Sequence, residues 1–183
     1  MKKLAILAAT LVLSGCGYNK IQTLDEQVTA FKSQIEVQLQ RRADLVPNLV
    51  ETVKAFASQE LEIFETLANA RAALSGAVRG GDLAEMATAN AALTGALGRL
   101  IAIAEDNPEI QSNENFRMLQ DQLEGTENRI SVARQDYNSA VRQHNAYIRR
   151  FPQVLTAKAV GASARDYFEA EEGAQAVPQV QFN

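Results

Sequence analysis

Apolar side chains recur along this chain at steps of three and four residues, and no alternating stretch of useful length interrupts them before the C-terminal tail. That period predicts helices almost throughout. The clearest run is Phe116, Leu119, Leu123, Thr126, Ile130, Ala133, Tyr137, Ala140, His144, Tyr147 and Phe151. It predicts one helix about 54 Å long with a single packed seam, ended by Pro152, whose ring collides with the preceding turn. A second run, Leu83, Met86, Asn90, Leu93, Leu97, Leu100 and Ala104, follows a Gly80-Gly81 turn and the helix-capping residue Asp82, and Asn107-Pro108 closes it. The segment from Gly76 to Gly81 reads as a hinge between antiparallel helices.

The first helical region is less regular. Leu24, Val28, Phe31 and Ile35 form one stripe, and Val46, Leu49, Val53, Phe56, Glu60, Ile63, Leu67, Ala70 and Leu74 form another. Joining them through Leu39 and Arg42 inserts an extra four-residue step, a stutter that unwinds a coiled coil locally. Pro47 comes next, so a kink or break is expected around Arg42 to Pro47. One kinked helix over residues 24–75 would span about 78 Å, against about 35 Å for residues 82–104, and would leave an unpaired stalk unless the C-terminal helices fold back along it. Alternatively the chain reverses near Pro47 and closes a compact bundle. Beyond Pro152 a short helix is expected from Val154 to about Val160, stopped by Gly161. Ser163 is placed to cap a last piece through Tyr167-Phe168, and residues 173–183 read as an extended tail. The fold class is therefore all-α: an elongated antiparallel helical bundle, resembling a four-helix bundle, with coiled-coil packing.

The N-terminus departs from this pattern. Lys2 and Lys3 precede an apolar stretch, Leu4 to Leu13, in which Thr10 is the only polar residue, and Leu13-Ser14-Gly15-Cys16 ends it. A charged start, a short apolar run and small residues are the parts of a secretory signal, and the run is far short of the roughly 20 residues needed to span a bilayer. Leu-Ser-Gly-Cys resembles a bacterial lipobox. There the cysteine sulfur receives a diacylglycerol, the signal is cut just before it, and the new amino terminus is acylated. The alternative is an ordinary signal with an incidental cysteine. Several acyl chains hold a protein on a membrane where one is marginal. Residues 1–15 thus read as a lipoprotein signal peptide and residues 16–20 as a linker from the lipidated Cys16.

Charge and composition narrow the function classes. The net charge is −4, and loss of the signal removes two lysines and no acid, so nothing favours nucleic acid as a partner. Cys16 is the sole cysteine, which leaves none for a disulfide or a thiolate metal site. The sole histidine, His144, lies on the packed seam and reads as a hydrogen-bonded core residue. Its third predecessor is Val141, so the Glu-x-x-His pattern of di-iron bundles is not met. With no phosphate loop or nucleophile elbow either, the expectation is a non-enzymatic protein without cofactor or metal.

The remaining chemistry lies in charged residues set into apolar turns. Leu39 to Leu49 carries Arg41, Arg42, Asp44 and Asn48, and Glu124 to Ile130 carries Glu124, Glu127, Asn128 and Arg129. Arg41 or Arg42 can pair with Glu124 or Glu127 across a bundle. Such pairs either fix helix register or form a polar surface for a partner.

At these residues the chain resembles the LemA family of bacterial envelope proteins. The similarity is carried by Leu24-Asp25-Glu26-Gln27-Val28, the run from Gln38 to Val53 with its Arg-Arg-x-Asp-Leu-x-Pro-Asn-Leu-Val core, Asn113-Glu114-Asn115-Phe116, Glu124 to Ile130, Ala133 to Asn138, and Phe151-Pro152. The resemblance implies that residues 21–172 form a long helical bundle exposed at the envelope, with no established catalytic activity. Many members carry an N-terminal transmembrane helix where this chain has a lipobox, and an aromatic is common where this chain has His144 before Asn145. Because members are often encoded near membrane metalloproteases, the resemblance implies a scaffold or adaptor with envelope protein partners, those proteases among them. The alternative is a binding module holding a small ligand or lipid in a gap left by the Pro47 kink and the small residues Ala70, Ala72, Ala73 and Ala104. The expected location is a membrane surface outside the cytoplasm. In an organism with two membranes this is the outer one, facing the periplasm, since Gly17 stands where a retention signal usually has Asp.

Overall fold

The computed structural model describes residues 2–57 and 60–168, with side chains from Gly17 onward. The side chain of Cys16 and the tail at 173–183 lie outside that description. The described residues form an all-α helical bundle of α1 (Lys2–Lys54), α2 (Leu61–Gly80), α3 (Leu83–Glu105), α4 (Pro108–Gln111), α5 (Glu114–Ile148) and α6 (Gln153–Ala159). Contacts divide the chain into two compact units. One holds residues up to Ile35 together with Val132–Tyr167, and the other holds Glu36–Ser131 together with Phe168.

The central unit takes α2, α3, α4, the second part of α1 and the first part of α5. Its core is built from the predicted stripes: Leu39, Val46, Leu49 and Val53 of α1, Leu67 and Leu74 of α2, Met86, Leu93, Leu97 and Leu100 of α3, and Phe116, Leu119, Leu123 and Ile130 of α5 are all buried. Local signals set the ends. Gly81 adopts a left-handed φ of 74° and returns its N–H to the Ala77 carbonyl, a conformation only glycine takes without strain. The Asp82 side chain accepts the Glu85 N–H at 2.9 Å, and Asn113 accepts that of Phe116 at 3.1 Å. The expected hinge is narrower than Gly76 to Gly81, because α2 runs on through Gly80. Although α3 is long and apolar enough to cross a membrane, its stripe from Met86 to Ala104 is core, including the buried Asn90.

The expected break around Arg42 to Pro47 is not where the helix ends. α1 continues through Pro47 to Lys54, and the chain leaves the helix at residues 55–57. There is neither one helix over 24–75 nor a reversal at Pro47, while α5 and α6 do fold back along the first part of α1, meeting it at Ile21. Proline has no N–H, so the carbonyl four residues earlier, on Ala43, loses its helical donor. Arg71 of α2 replaces that donor, with Nε 3.0 Å from the Ala43 oxygen. Ala43 is fully buried, so water is no substitute and the tertiary contact is what satisfies the carbonyl.

The terminal unit is smaller. Ile21 of α1, Ile148 of α5 and Ala157 of α6 form its apolar cluster, with Tyr147 and Ala162 packed against it. The long-helix seam is buried from Phe116 to His144 and then drifts, since straight helical spacing does not keep an exact seven-residue repeat. Ile148 takes over as the buried residue, whereas Phe151, expected on the seam, is 81% exposed. α5 accordingly stops at Ile148, four residues before Pro152. α6 ends before Gly161, at φ 71°, as expected. Among the described residues no helix comes after Ser163, and residues 162–168 run as an irregular strap. Asn145 donates to the Arg165 carbonyl and accepts the Arg165 N–H, both at 2.8 Å, and the Tyr137 hydroxyl donates to the Asp166 carbonyl at 2.8 Å. Side chains of α5 thus satisfy backbone groups that a helix would otherwise have to pair.

Candidate functional site

The charged residues singled out in the sequence separate into two sets. Arg42 points inward and is 5% exposed. Its Nη1 donates to Asn90 Oδ1 of α3 at 2.8 Å and pairs with Glu127 Oε2 of α5. One guanidinium thus ties three helices of the central unit together.

The other set faces solvent. Arg41 and Arg129, both exposed, line an open groove of about 390 Å³ with Leu45, Met118, Asp121, Gln122, Gly125 and Thr126. Next to it, sharing Met118, lies a second groove of about 280 Å³ lined by Asn48, Glu51, Thr52, Asn115 and Leu119. Met118 is 51% exposed, an apolar point between the two. Asp44 accepts a hydrogen bond from Gln40 Nε2 at 2.8 Å, and Glu124 and Asn128 are exposed. Neither groove is lined by the small residues expected to leave a gap. Ala70 and Ala104 are buried, and Ala72 and Ala73 face solvent.

A polar constellation that sequence reasoning missed occupies the terminal unit. Arg165 of the strap grips Asp25 of α1 with two hydrogen bonds, Nε to Oδ1 and Nη2 to Oδ2, each 2.8 Å. His144, 1% exposed, lies behind them with Nδ1 3.2 Å from Asn145 Oδ1 and Nε2 3.7 Å from Asp25 Oδ1. A cleft of about 260 Å³ opens here, with Ser163 on its wall. Both ring nitrogens of His144 already face acceptors, so the imidazole as placed has none free to activate Ser163. No group of three metal-ligating side chains occurs among the described residues. The arrangement fastens the strap to two helices. The separation of Asp25 and Arg165 in sequence, 140 residues, is why no local pattern announced it.

The Arg165 hydrogen bonds, reinforced by its charge and by nearby His144, hold the Asp25 carboxyl below the usual carboxylate range against the opposing effect of burial. A lowered folded pKa means stability that is present above the ordinary carboxylate value and is lost as pH falls through the folded value. The pair is partly exposed, so its worth is at most about 1 kcal/mol. Melting temperature is therefore expected to fall on acidification by less in Asp25→Asn than in the parent. Equal acid slopes would show that the clasp adds nothing. Burial also pushes the Tyr137 hydroxyl up, opposed by the Arg165 charge.

A family model described as the LemA family matches residues 31–182. Magnetosome protein MamQ 2 of Paramagnetospirillum magneticum is 29% identical over 184 residues, covering 88% of this chain and 66% of the relative. Magnetosome protein MamQ of Magnetospirillum gryphiswaldense is 29% identical over 174 residues, covering 82% and 64%. The chain therefore spans just under two thirds of the length of these curated relatives. The family match takes in both units and begins beyond Cys16.

Proposed function

This chain belongs to the LemA family, and from that premise we propose that it is a lipid-anchored, non-enzymatic scaffold or adaptor of the bacterial cell envelope. Family membership and the likeness to magnetosome proteins support a membrane-associated envelope protein. The lipid anchor rests on the Leu-Ser-Gly-Cys run ending at Cys16. The observation that carries the adaptor role is the division of labour among the arginines. Arg42 is spent inside the bundle, while Arg41 and Arg129 stand exposed on an open groove beside apolar Met118. Exposed guanidiniums around an apolar point are the composition of a protein interface. The partner is an envelope protein with acidic and apolar groups to match, and membrane metalloproteases are the first candidates from the family resemblance.

Two measurements test this. Cys16→Ser is expected to move the protein from the membrane fraction to the soluble fraction, and unchanged fractionation would remove lipidation as the anchor. A photo-crosslinking side chain at Met118 is expected to capture a discrete envelope protein in cells, and Arg41→Glu with Arg129→Glu to abolish that product. Recovery of the uncrosslinked protein alone would refute the adaptor reading.

A further inference from the structure

The acidic balance of this chain is not uniform. Between Asp136 and Asp166 there is no acid at all, while Arg142, Arg149, Arg150, Lys158 and Arg165 are all basic. Arg149, Arg150 and Lys158 are exposed and lie on either side of the corner where α5 ends and α6 begins. The same corner carries large apolar side chains in solvent: Phe151 is 81% exposed, Leu155 60% and Val160 41%. Leu155 and Lys158, three residues apart on α6, lie on one face of that helix, away from Ala157, which is buried against Ile21 and Ile148, and Phe151 lies exposed in the turn just before it.

Its place in the chain matters as much as its composition. Gly17, the residue after Cys16, packs directly on α6: a Cβ built there would lie 3.3 Å from Thr156 Oγ1. The half-exposed Tyr18 comes next on α1. The basic, apolar corner is thus held against the residue adjoining the lipidation position. Aromatic and aliphatic side chains among exposed cations, with no acid between them in sequence, match an anionic bilayer surface, where rings sit at headgroup level and cations meet phosphates.

We infer that the α5–α6 corner, through Phe151, Leu155, Arg149, Arg150 and Lys158, is a second membrane contact that seats the terminal unit on anionic phospholipid beside the Cys16 anchor. It rests on the anchored reading for which membrane is met, and adds how the body lies on it. An acyl chain alone leaves a protein free to swivel. An apolar corner next to the tether fixes which side faces the lipid.

The chain contains no tryptophan, so one can be introduced as the sole reporter. The acylated full chain is prepared as Phe151→Trp, or as Val132→Trp at a 50% exposed site about 24 Å along α5 from Ile148, and reconstituted into phosphatidylcholine vesicles with phosphatidylglycerol and brominated chains. The Phe151→Trp emission is expected to shift blue and lose most of its intensity. Val132→Trp is expected to keep its intensity, and adding Arg149→Glu, Arg150→Glu and Lys158→Glu to restore that of Phe151→Trp. Equal emission at the two sites would overturn the proposal. So would a Phe151→Trp signal already blue-shifted before vesicles are added and unchanged by them, which means that the C-terminal tail or a second copy covers the corner. Flotation separates this inference from the anchor. Vesicle-bound protein with an unquenched Phe151→Trp leaves the anchor standing and removes the corner contact, whereas quenching that survives Cys16→Ser does the reverse.

Discussion

Glu127→Ala is expected to destabilise the protein by about 3 kcal/mol, the lower end of the range for breaking a buried ion pair from one side. The reason is an asymmetry between the partners: the Arg42 side chain is 6% exposed and that of Glu127 46%. Removing the carboxylate leaves a guanidinium in the core with Asn90 Oδ1 among its remaining partners. Removing the cation instead, by Arg42→Met, leaves a carboxylate that water can still reach, and the chief loss is the donor that Asn90 Oδ1 accepts from, about 1–3 kcal/mol. Glu127→Ala should therefore cost more than Arg42→Met, although arginine is the larger and more deeply buried residue. Urea unfolding of each purified full-length variant, monitored by circular dichroism, measures both. The reverse order would mean that the pair contributes through the packing of the arginine stem and not through charge.

Helices were legible in the sequence wherever a side-chain period ran unbroken. The seam from Phe116 to His144 and the stripe from Met86 to Ala104 are buried as the spacing predicts, and Asp82 and Gly161 mark helix ends by local chemistry. Ends set by tertiary contacts were not legible. Pro47 reads as a break because its missing N–H is visible in the sequence, whereas the donor that replaces it belongs to Arg71 on another helix. Likewise Ser163 reads as a cap, yet the strap it begins is held by Asn145 and Tyr137 of α5. His144 reads correctly as a core residue, but the carboxylate it faces belongs to Asp25, far away in sequence.

The same limit applies to the charged cluster. Sequence spacing brought Arg41, Arg42, Glu124 and Glu127 together as possible partners, and burial separates them. Adjacent residues on a helix point about 100° apart, so of Arg41 and Arg42 one enters the core and the other lines the groove. Nothing in an Arg-Arg dipeptide says which. The apolar period does, since Arg42 falls on the stripe between Leu39 and Val46 and Arg41 does not.

The account of Pro47 makes the second large prediction, one that depends on a pair of changes. Arg71→Met is expected to cost about 1–3 kcal/mol, because the buried Ala43 carbonyl then has no donor from α1 or α2. Pro47→Ala returns an N–H to the position from which a helix bonds that carbonyl, so the same Arg71→Met change made in a Pro47→Ala background should cost appreciably less. A double-mutant cycle on urea unfolding isolates the difference as a coupling free energy. If Arg71 serves only to pack its stem between α1 and α2, the cost will be the same in both backgrounds and the coupling zero. If the guanidinium completes the hydrogen bonding of α1 where proline interrupts it, the coupling is positive. The continuity of the first helix through Pro47 is then a property of its contact with α2 and not of the helix itself.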